Sequence, residues 1–107
     1  MATALLDDPV LTTLRRRLED LYGDRLARVV LFGSRARGDH HADSDYDIAV
    51  FLKDMPDWWG ELGRLADLDV ETFDRTGLCL DVKAYALFEW ADRTPLMGEI
   101  RRDGVDF

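Results

Sequence analysis

The chain is 107 residues long and 47% hydrophobic, so residues 1–107 fit one globular domain and leave no room for a second. Its 14 basic and 22 acidic residues give a net charge of −8, which disfavours a protein that binds long nucleic acid through the phosphates. The N-terminus lacks the basic start and apolar run of a secretion signal, and no stretch is long enough to span a bilayer, so neither export nor membrane anchoring is expected.

The N-terminal region predicts a helix over Pro9–Tyr22. Asp8 suits the cap position, and Pro9 suits the first turn because a backbone N–H is not needed there. Four leucines recur at helical spacing and predict a buried stripe: Leu11, Leu14, Leu18 and Leu21.

The rest of the chain alternates between strands and helices, which predicts an α/β fold. Apolar runs predict three strands, over residues 28–32, 45–52 and 78–84. Helices are predicted from Ser34, over residues 57–75 after a break at Pro56, and over residues 87–103 with an interruption at Pro95. In the long helix an apolar stripe is expected to face the core: Trp58, Trp59, Leu62, Leu65, Ala66 and Phe73.

The only cysteine, Cys79, lies in the third predicted strand. It cannot form an internal disulfide, so a reducing, cytoplasmic compartment is expected. We interpret its side chain as a small buried hydrophobe.

Two carboxylates open the second predicted strand. Side chains two residues apart on a strand point to the same face, so Asp45 and Asp47 converge while Tyr46 and Ile48 point the other way. Carboxylate oxygens suit a hard cation such as Mg2+, which keeps several waters or takes substrate phosphates as further ligands. The alternative is a pair of solvated carboxylates at a strand end. The pair therefore predicts a metal site that a nucleotide completes.

A glycine and a serine follow the first predicted strand, and ten residues separate them from Asp45. Gly33 permits positive φ and the close approach of a phosphate, and Ser34 offers a hydroxyl at the start of a short helix, where backbone N–H groups attract anions. Arg35 and Arg37 add positive charge, and a guanidinium can hold phosphate oxygens bidentately. These four residues predict a nucleotide-binding turn beside the metal site.

The two segments together, Gly33-Ser34-Arg35-Ala36-Arg37-Gly38 and Ser44-Asp45-Tyr46-Asp47, resemble the signature of the polymerase-beta-type nucleotidyltransferase superfamily, and more narrowly that of the minimal nucleotidyltransferases. That family's pattern also has a third acidic residue on a later strand, and the resemblance points to Asp81 for that position. It extends over residues 26–105 and implies the nucleotidyltransferase fold, with a small mixed sheet of three to four strands flanked by helices.

The resemblance implies a Mg2+-dependent enzyme that transfers a nucleoside monophosphate, AMP from ATP, to a hydroxyl group. Asp45, Asp47 and Asp81 would bind metal and carry catalysis, with Asp81 either completing a second metal position or accepting the proton of the attacking hydroxyl. Free-standing minimal members resemble the antitoxins of toxin-antitoxin pairs whose partner is a HEPN ribonuclease. The implied acceptor is a tyrosine of that toxin.

Two other functions are consistent with the same residues. A non-catalytic antitoxin would neutralise a basic toxin by binding it through an acidic surface, but it would not need three acids at these positions. Nucleotidylation of a small molecule or of an RNA 3′ end is the second alternative, which the short chain and the negative charge disfavour.

Three further groups of residues invite a functional interpretation. His40 and His41 lie in the polar loop and are interpreted as solvated, because adjacent side chains do not face one ion on regular structure. Base stacking by Trp58 or Trp59 is the alternative to core packing. Lys83 shares the sheet face of Asp81, where its ammonium could meet a phosphate or pair with the carboxylates.

Overall fold

A four-stranded mixed sheet forms the centre of the fold, in a computed structural model that describes residues 8–55 and 57–107. The strands are β1 (Leu26–Phe32), β2 (Tyr46–Leu52), β3 (Leu80–Ala86) and β4 (Val105–Asp106). The α-helices are α1 (Pro9–Tyr22), α2 (Ser34–Arg37), α3 (Trp58–Thr76) and α4 (Pro95–Asp103), and 3-10 turns lie at Gly23–Arg25 and Leu87–Ala91. The predicted α/β fold is confirmed.

The strands lie in the order β3-β2-β1-β4. β1 is antiparallel to both β2 and β4, whereas β2 and β3 run parallel. A parallel pair needs a long crossover connection, and α3 supplies it. β4 was not predicted, because two residues are too short to show a pattern.

Helices cover the two faces of the sheet unequally. On one face, α1 and α3 bury a large apolar cluster that includes Val29, Ile48 and Val82. On the other face, Met97 and Ile100 of α4 pack against Val30, Ala49 and Phe51. The start of β2 and the first half of β3 carry polar side chains on this second face instead: Asp47, Asp81 and Lys83.

The cap and the buried stripe of α1 largely follow the prediction. The Val10 amide donates a 2.9 Å hydrogen bond to Asp8 Oδ1, and three of the four predicted leucines are buried. Leu21 is 42% exposed, and Tyr22 takes the fourth buried position. The reason is geometric, since Tyr22 stands four residues after Leu18 and continues the same stripe.

The predicted core-facing stripe of α3 was wrong except for Leu65. The buried residues of α3 are Glu61, Leu65, Leu68 and Thr72, at the spacing of one helix face. Most members of the predicted stripe are exposed: Trp58, Trp59, Leu62, Ala66 and Phe73. The prediction grouped apolar side chains that lie on different sides of the helix, because it gave more weight to apolar character than to helical spacing. Pro56, the predicted break, lies outside the described residues.

Two other boundaries differ from the prediction. β3 begins at Leu80, so Cys79 precedes the strand, and its side chain is exposed rather than buried. Pro95 begins α4 rather than interrupting a helix, because the hydroxyl of Thr94 caps the Met97 amide and proline is tolerated in the first turn. None of the helices described is long and apolar enough to cross a membrane.

A buried carboxylate on α3 connects that helix to the rest of the fold. Glu61 is only 2% exposed, and its two oxygens each lie 2.7 Å from a guanidinium nitrogen, one of Arg25 and one of Arg64. Arg25 also pairs with Asp54 at 2.7 Å. Burial raises the pKa of Glu61, but the hydrogen bonds from Arg25, Arg64 and Tyr22 and the charge of Arg25 together bring the pKa below its usual value. Glu61 is therefore held as a charged, fully paired group.

Asp69, two turns later on α3, is half-buried, and no arginine pairs with it among the described residues. Its Oδ1 has no hydrogen-bond partner among the residues described. Burial, together with the charge of Asp81, raises the pKa of Asp69 to about 7. The folded state therefore favours the neutral carboxylic acid, whereas the unfolded chain ionises near pH 3.8.

Replacing Asp69 with Asn should stabilise the protein, and the gain should depend on pH. Between about pH 4 and pH 7 the unfolded wild-type chain has lost its proton and the folded state still holds it, so wild-type stability falls as pH rises. The gain from Asn should grow through this window and level off above it at no more than about 4 kcal/mol, because each unit of pKa difference corresponds to about 1.4 kcal/mol. Urea titrations in metal-free buffer at several pH values measure it. The control is Asp74→Asn at an exposed position of the same helix, and equal pH profiles for the two variants would contradict the assignment.

Candidate functional site

The sheet register places two of the predicted carboxylates side by side. Asp47 of β2 is the direct register partner of Asp81 on the parallel strand β3, and Asp45 comes two residues earlier, just before β2. Asp47 is half-buried, while the Asp81 side chain is 51% exposed on the edge strand. The structure thus brings Asp47 and Asp81 together, and the metal-binding and catalytic roles of the three carboxylates stay predictions.

These carboxylates repel one another. Burial raises the pKa of Asp47, and the charges of Asp81, Asp45 and Glu99 raise it further. Lys83 opposes the shift, and its Nζ lies 3.8 Å from Asp81 Oδ2. The site therefore concentrates more negative charge than its own lysine neutralises, as expected of a place where a cation binds.

Glu99 was missed by the sequence analysis. It lies on α4, and only the packing of that helix against the sheet brings its charge near Asp47. A lone glutamate in an amphipathic helix gives no local signal of such a role.

The turn after β1 brings its backbone against Asp47. Gly33 is buried, caps α2 and has φ 74° and ψ −157°, a conformation that is essentially restricted to glycine. A Cβ atom at this position would run into Oδ2 of Asp47. Phe32, the residue before it, is the antiparallel register partner of Asp47. Glycine is therefore required both by the backbone and by the carboxylate beside it.

Replacing Gly33 with Ala should destabilise the fold by about 1–3 kcal/mol, the usual cost of a strained backbone position. It should also displace the Asp47 side chain. The matched control is Gly63→Ala in α3, where a Cβ meets nothing within 4 Å and alanine should raise stability by up to about 1 kcal/mol. Thermal and urea unfolding of both variants test the pair. A stability equal to that of the wild type for Gly33→Ala would contradict the requirement.

The two predicted phosphate-binding arginines are engaged by protein groups. Arg35 donates from Nε to the Ser44 carbonyl and from Nη2 to the Ala42 carbonyl, both at 3.0 Å. Arg37 donates from Nε to Asp39 Oδ2 at 3.2 Å, and its Nη1 lies 4.0 Å from Asp103 Oδ2. Ser34 begins α2 directly after Gly33, as predicted. Nucleotide binding by Ser34 and the arginines stays a prediction.

The carboxylate oxygens of Asp45, Asp47 and Asp81 are ligands that suit a hard divalent cation, although the three side chains do not converge on one position. In the stretches 8–55 and 57–107, no group of three or more His, Cys, Asp or Glu side chains is arranged to hold a metal ion. The chemistry of Asp45 and Asp47 nevertheless fits, because Mg2+ takes one or two carboxylates and completes its shell with water and phosphate oxygens. The raised pKa of Asp47 is in line with this, since a bound cation would relieve the repulsion. The three-carboxylate metal site remains a prediction.

The remaining candidates lie on the surface. His40 and His41 are exposed, as predicted for solvated loop residues. Trp58 and Trp59 stack edge to face on each other at 4.7 Å between ring centroids, and Trp59 is 74% exposed. Their predicted core role is wrong.

Comparison with known proteins gives two sequence matches. A family model described as the nucleotidyltransferase domain matches residues 11–102. A Methanocaldococcus jannaschii protein named "Putative protein adenylyltransferase MJ0141" is 38% identical over 47 residues, which are 44% of this chain and 48% of that protein. The chain thus matches about half the length of that relative.

Two examples represent the solved structures that share this fold. A chain of a toxin-antitoxin crystal structure with AMP-PNP has a TM-score of 0.62 and 23% identity, over 88% of this chain and 69% of that chain. A chain from the structure of tri-AMPylated Shewanella oneidensis HEPN toxin in complex with MNT antitoxin has a TM-score of 0.58 and 21% identity, over 89% and 66% of the two chains. With a family model that spans most of its length and the Gly-Ser and Asp-x-Asp signature in place, this chain belongs to the nucleotidyltransferase domain family.

Proposed function

We propose that this protein transfers AMP from ATP, with Mg2+, to a hydroxyl group of a partner protein, and that the partner is a HEPN ribonuclease toxin which the modification neutralises. The parallel register of β2 and β3 carries the proposal, because it puts Asp47 beside Asp81 on an open part of the sheet next to the Gly33 turn. The family membership and the protein adenylyltransferase relative support it.

Asp45 and Asp47 would hold the Mg2+, which when bound offsets the charge of the triphosphate and of the departing pyrophosphate. The Gly33 backbone and the Ser34 hydroxyl would hold the terminal phosphates. The turn already approaches Asp47 closely, so phosphates bound there would lie beside the metal-binding carboxylates.

Asp81 would accept the proton of the attacking hydroxyl. Its side chain is half exposed on the edge strand, so an incoming acceptor can reach it, whereas Asp47 lies further inside the site. The hydroxyl oxygen forms a bond to the α-phosphorus as the bond from that phosphorus to the bridging oxygen of pyrophosphate breaks. Lys83, 3.8 Å from Asp81, would stabilise the carboxylate before it takes the proton.

The choice of partner rests on the structural neighbours. One of them contains an AMPylated HEPN toxin bound to its MNT antitoxin, and the other contains a toxin-antitoxin with AMP-PNP. A toxin that binds RNA is expected to be basic, and this chain carries a net charge of −8. A transferred AMP would add a negative charge and bulk at the RNA-cleaving site.

The test is to incubate the protein with Mg2+, ATP labelled at the α-phosphorus, and the protein encoded by the adjacent reading frame. Label on that partner, with release of pyrophosphate, is the expected result. ATP labelled at the γ-phosphorus is the matched control and should leave the partner unlabelled, because AMP transfer removes that phosphate. Neutralisation of the partner without label would contradict the enzyme and support an antitoxin that acts by binding alone.

A further inference from the structure

We propose that Arg35 is a positioning residue of this site, which fixes the loop that carries Asp45 instead of contacting the nucleotide. The inference deepens the proposed function, because it assigns a role in transfer to a residue that does not touch the substrate. Arg35 lies on α2, immediately after the Gly33-Ser34 turn.

The guanidinium binds the loop as a fork. Its Nε and Nη2 donate to two carbonyls of the same loop, those of Ser44 and Ala42, at 3.0 Å each. The loop is closed on itself by two further hydrogen bonds, from the His41 amide to Ser44 Oγ at 2.8 Å and from the Ser44 amide to the His41 carbonyl at 3.1 Å. Arg35 therefore ties a small, internally bonded turn to α2.

The same guanidinium also stacks on a buried aromatic ring. Arg35 Cζ lies 3.9 Å from the centroid of Tyr46, which is 3% exposed. The Tyr46 hydroxyl in turn donates a 2.8 Å hydrogen bond to Asp8 Oδ2, the residue that caps α1. The Arg35 guanidinium thus connects the loop to the start of β2, and the Tyr46 hydroxyl connects the start of β2 to α1.

This stack also sets the direction of the guanidinium. Tyr46 belongs to the apolar cluster under α1 and α3, so its ring lies on the face of the sheet opposite to that of its neighbour Asp47. A guanidinium over that ring is directed away from the carboxylates. Asp45 stands between Ser44 and Tyr46, the two residues that Arg35 holds, so its backbone position is set by Arg35 from both sides.

Arg35→Lys is the decisive variant, because it keeps the positive charge and loses both the planar fork and the ring stacking. Amide hydrogen exchange on the free protein, without nucleotide or metal, should be at least about tenfold faster in residues 38–46, while β1 and β3 exchange as in the wild type and so report an intact fold. Arg17→Lys is the matched control, since Arg17 lies on α1 and forms an exposed ion pair with Glu71 at 3.2 Å. Unchanged exchange in residues 38–46 of Arg35→Lys would overturn the proposal.

Kinetics distinguish positioning from phosphate binding. A misplaced Asp45 should lower kcat by about 100-fold in both Arg35→Lys and Arg35→Ala, with the KM for ATP within about twofold of the wild type. A KM for ATP that rises in Arg35→Ala and is restored by lysine would show a phosphate ligand and overturn the proposal. If the wild-type protein transfers no nucleotide, the proposed function fails, and the exchange measurement still decides the role of Arg35.

Discussion

Asp47→Asn should lower AMP transfer by about 10³-fold or more, the loss expected when several kcal/mol of charge stabilisation by a bound metal disappear. The same change should leave the fold at least as stable as the wild type. Asparagine has nearly the same shape as aspartate, and it removes a charge that burial, Asp81, Asp45 and Glu99 all disfavour, as the raised pKa shows. A fall in activity without a fall in stability distinguishes a functional carboxylate from a structural one.

Two measurements on one preparation test this expectation. Transfer from α-labelled ATP gives the activity, and thermal unfolding in buffer with EDTA gives the stability. Asp20→Asn is the control, since it removes the same charge at an exposed position of α1 and should leave both values near those of the wild type. Full activity in Asp47→Asn, or a large fall in stability with the activity retained, would contradict the assignment.

Arg25→Met should produce the largest loss of stability, about 3 kcal/mol. The change keeps the apolar stem and removes the guanidinium, so Glu61, which is 2% exposed, retains only Arg64 as a close cationic partner among the described residues. An underpaired buried carboxylate is far more costly than a lost surface pair. The Asp54 pair on the rim of this network is lost as well.

Urea titrations at several pH values measure the effect of Arg25→Met. Because the pKa of Glu61 lies below its usual value of 4.5, its pairing stabilises the fold above that pH, and the contribution is lost as pH falls through the lowered pKa. The difference between wild type and variant should therefore shrink in acid. Arg17→Met removes an exposed pair with Glu71 and should cost less than about 1 kcal/mol. Equal losses for the two variants would refute the importance of the buried network.

The parts of the site that could be predicted are those encoded within a few residues. Gly33 and the Asp45-Asp47 pair follow from local rules, namely backbone freedom at a turn and the two-residue repeat of a strand. Asp81 needed the family resemblance, because nothing in its own strand says which strand it pairs with. The parallel register with β2 is a property of the whole chain.

The features that could not be predicted depend on tertiary contacts. The direction of Arg35 is set by a loop and a ring that its own helix does not reveal, and Glu99 affects Asp47 only through the packing of α4. Glu61 of α3 is buried although its side chain is charged. This is possible because Arg25, which lies just before β1, neutralises the charge. Trp59 is exposed, although its large apolar side chain alone would favour a place in the core.

The crossover through α3 also determines when the site can exist. The pairing of β1 with β2 is enough to place Asp47 beside Gly33, whereas Asp81 joins Asp47 only through the pairing of β3 with β2, across a connection that contains the 19-residue helix α3. Such long-range parallel pairing is among the slower events of folding. We therefore expect Asp81 to join Asp47 late in folding, after the long connection between β2 and β3 has become ordered.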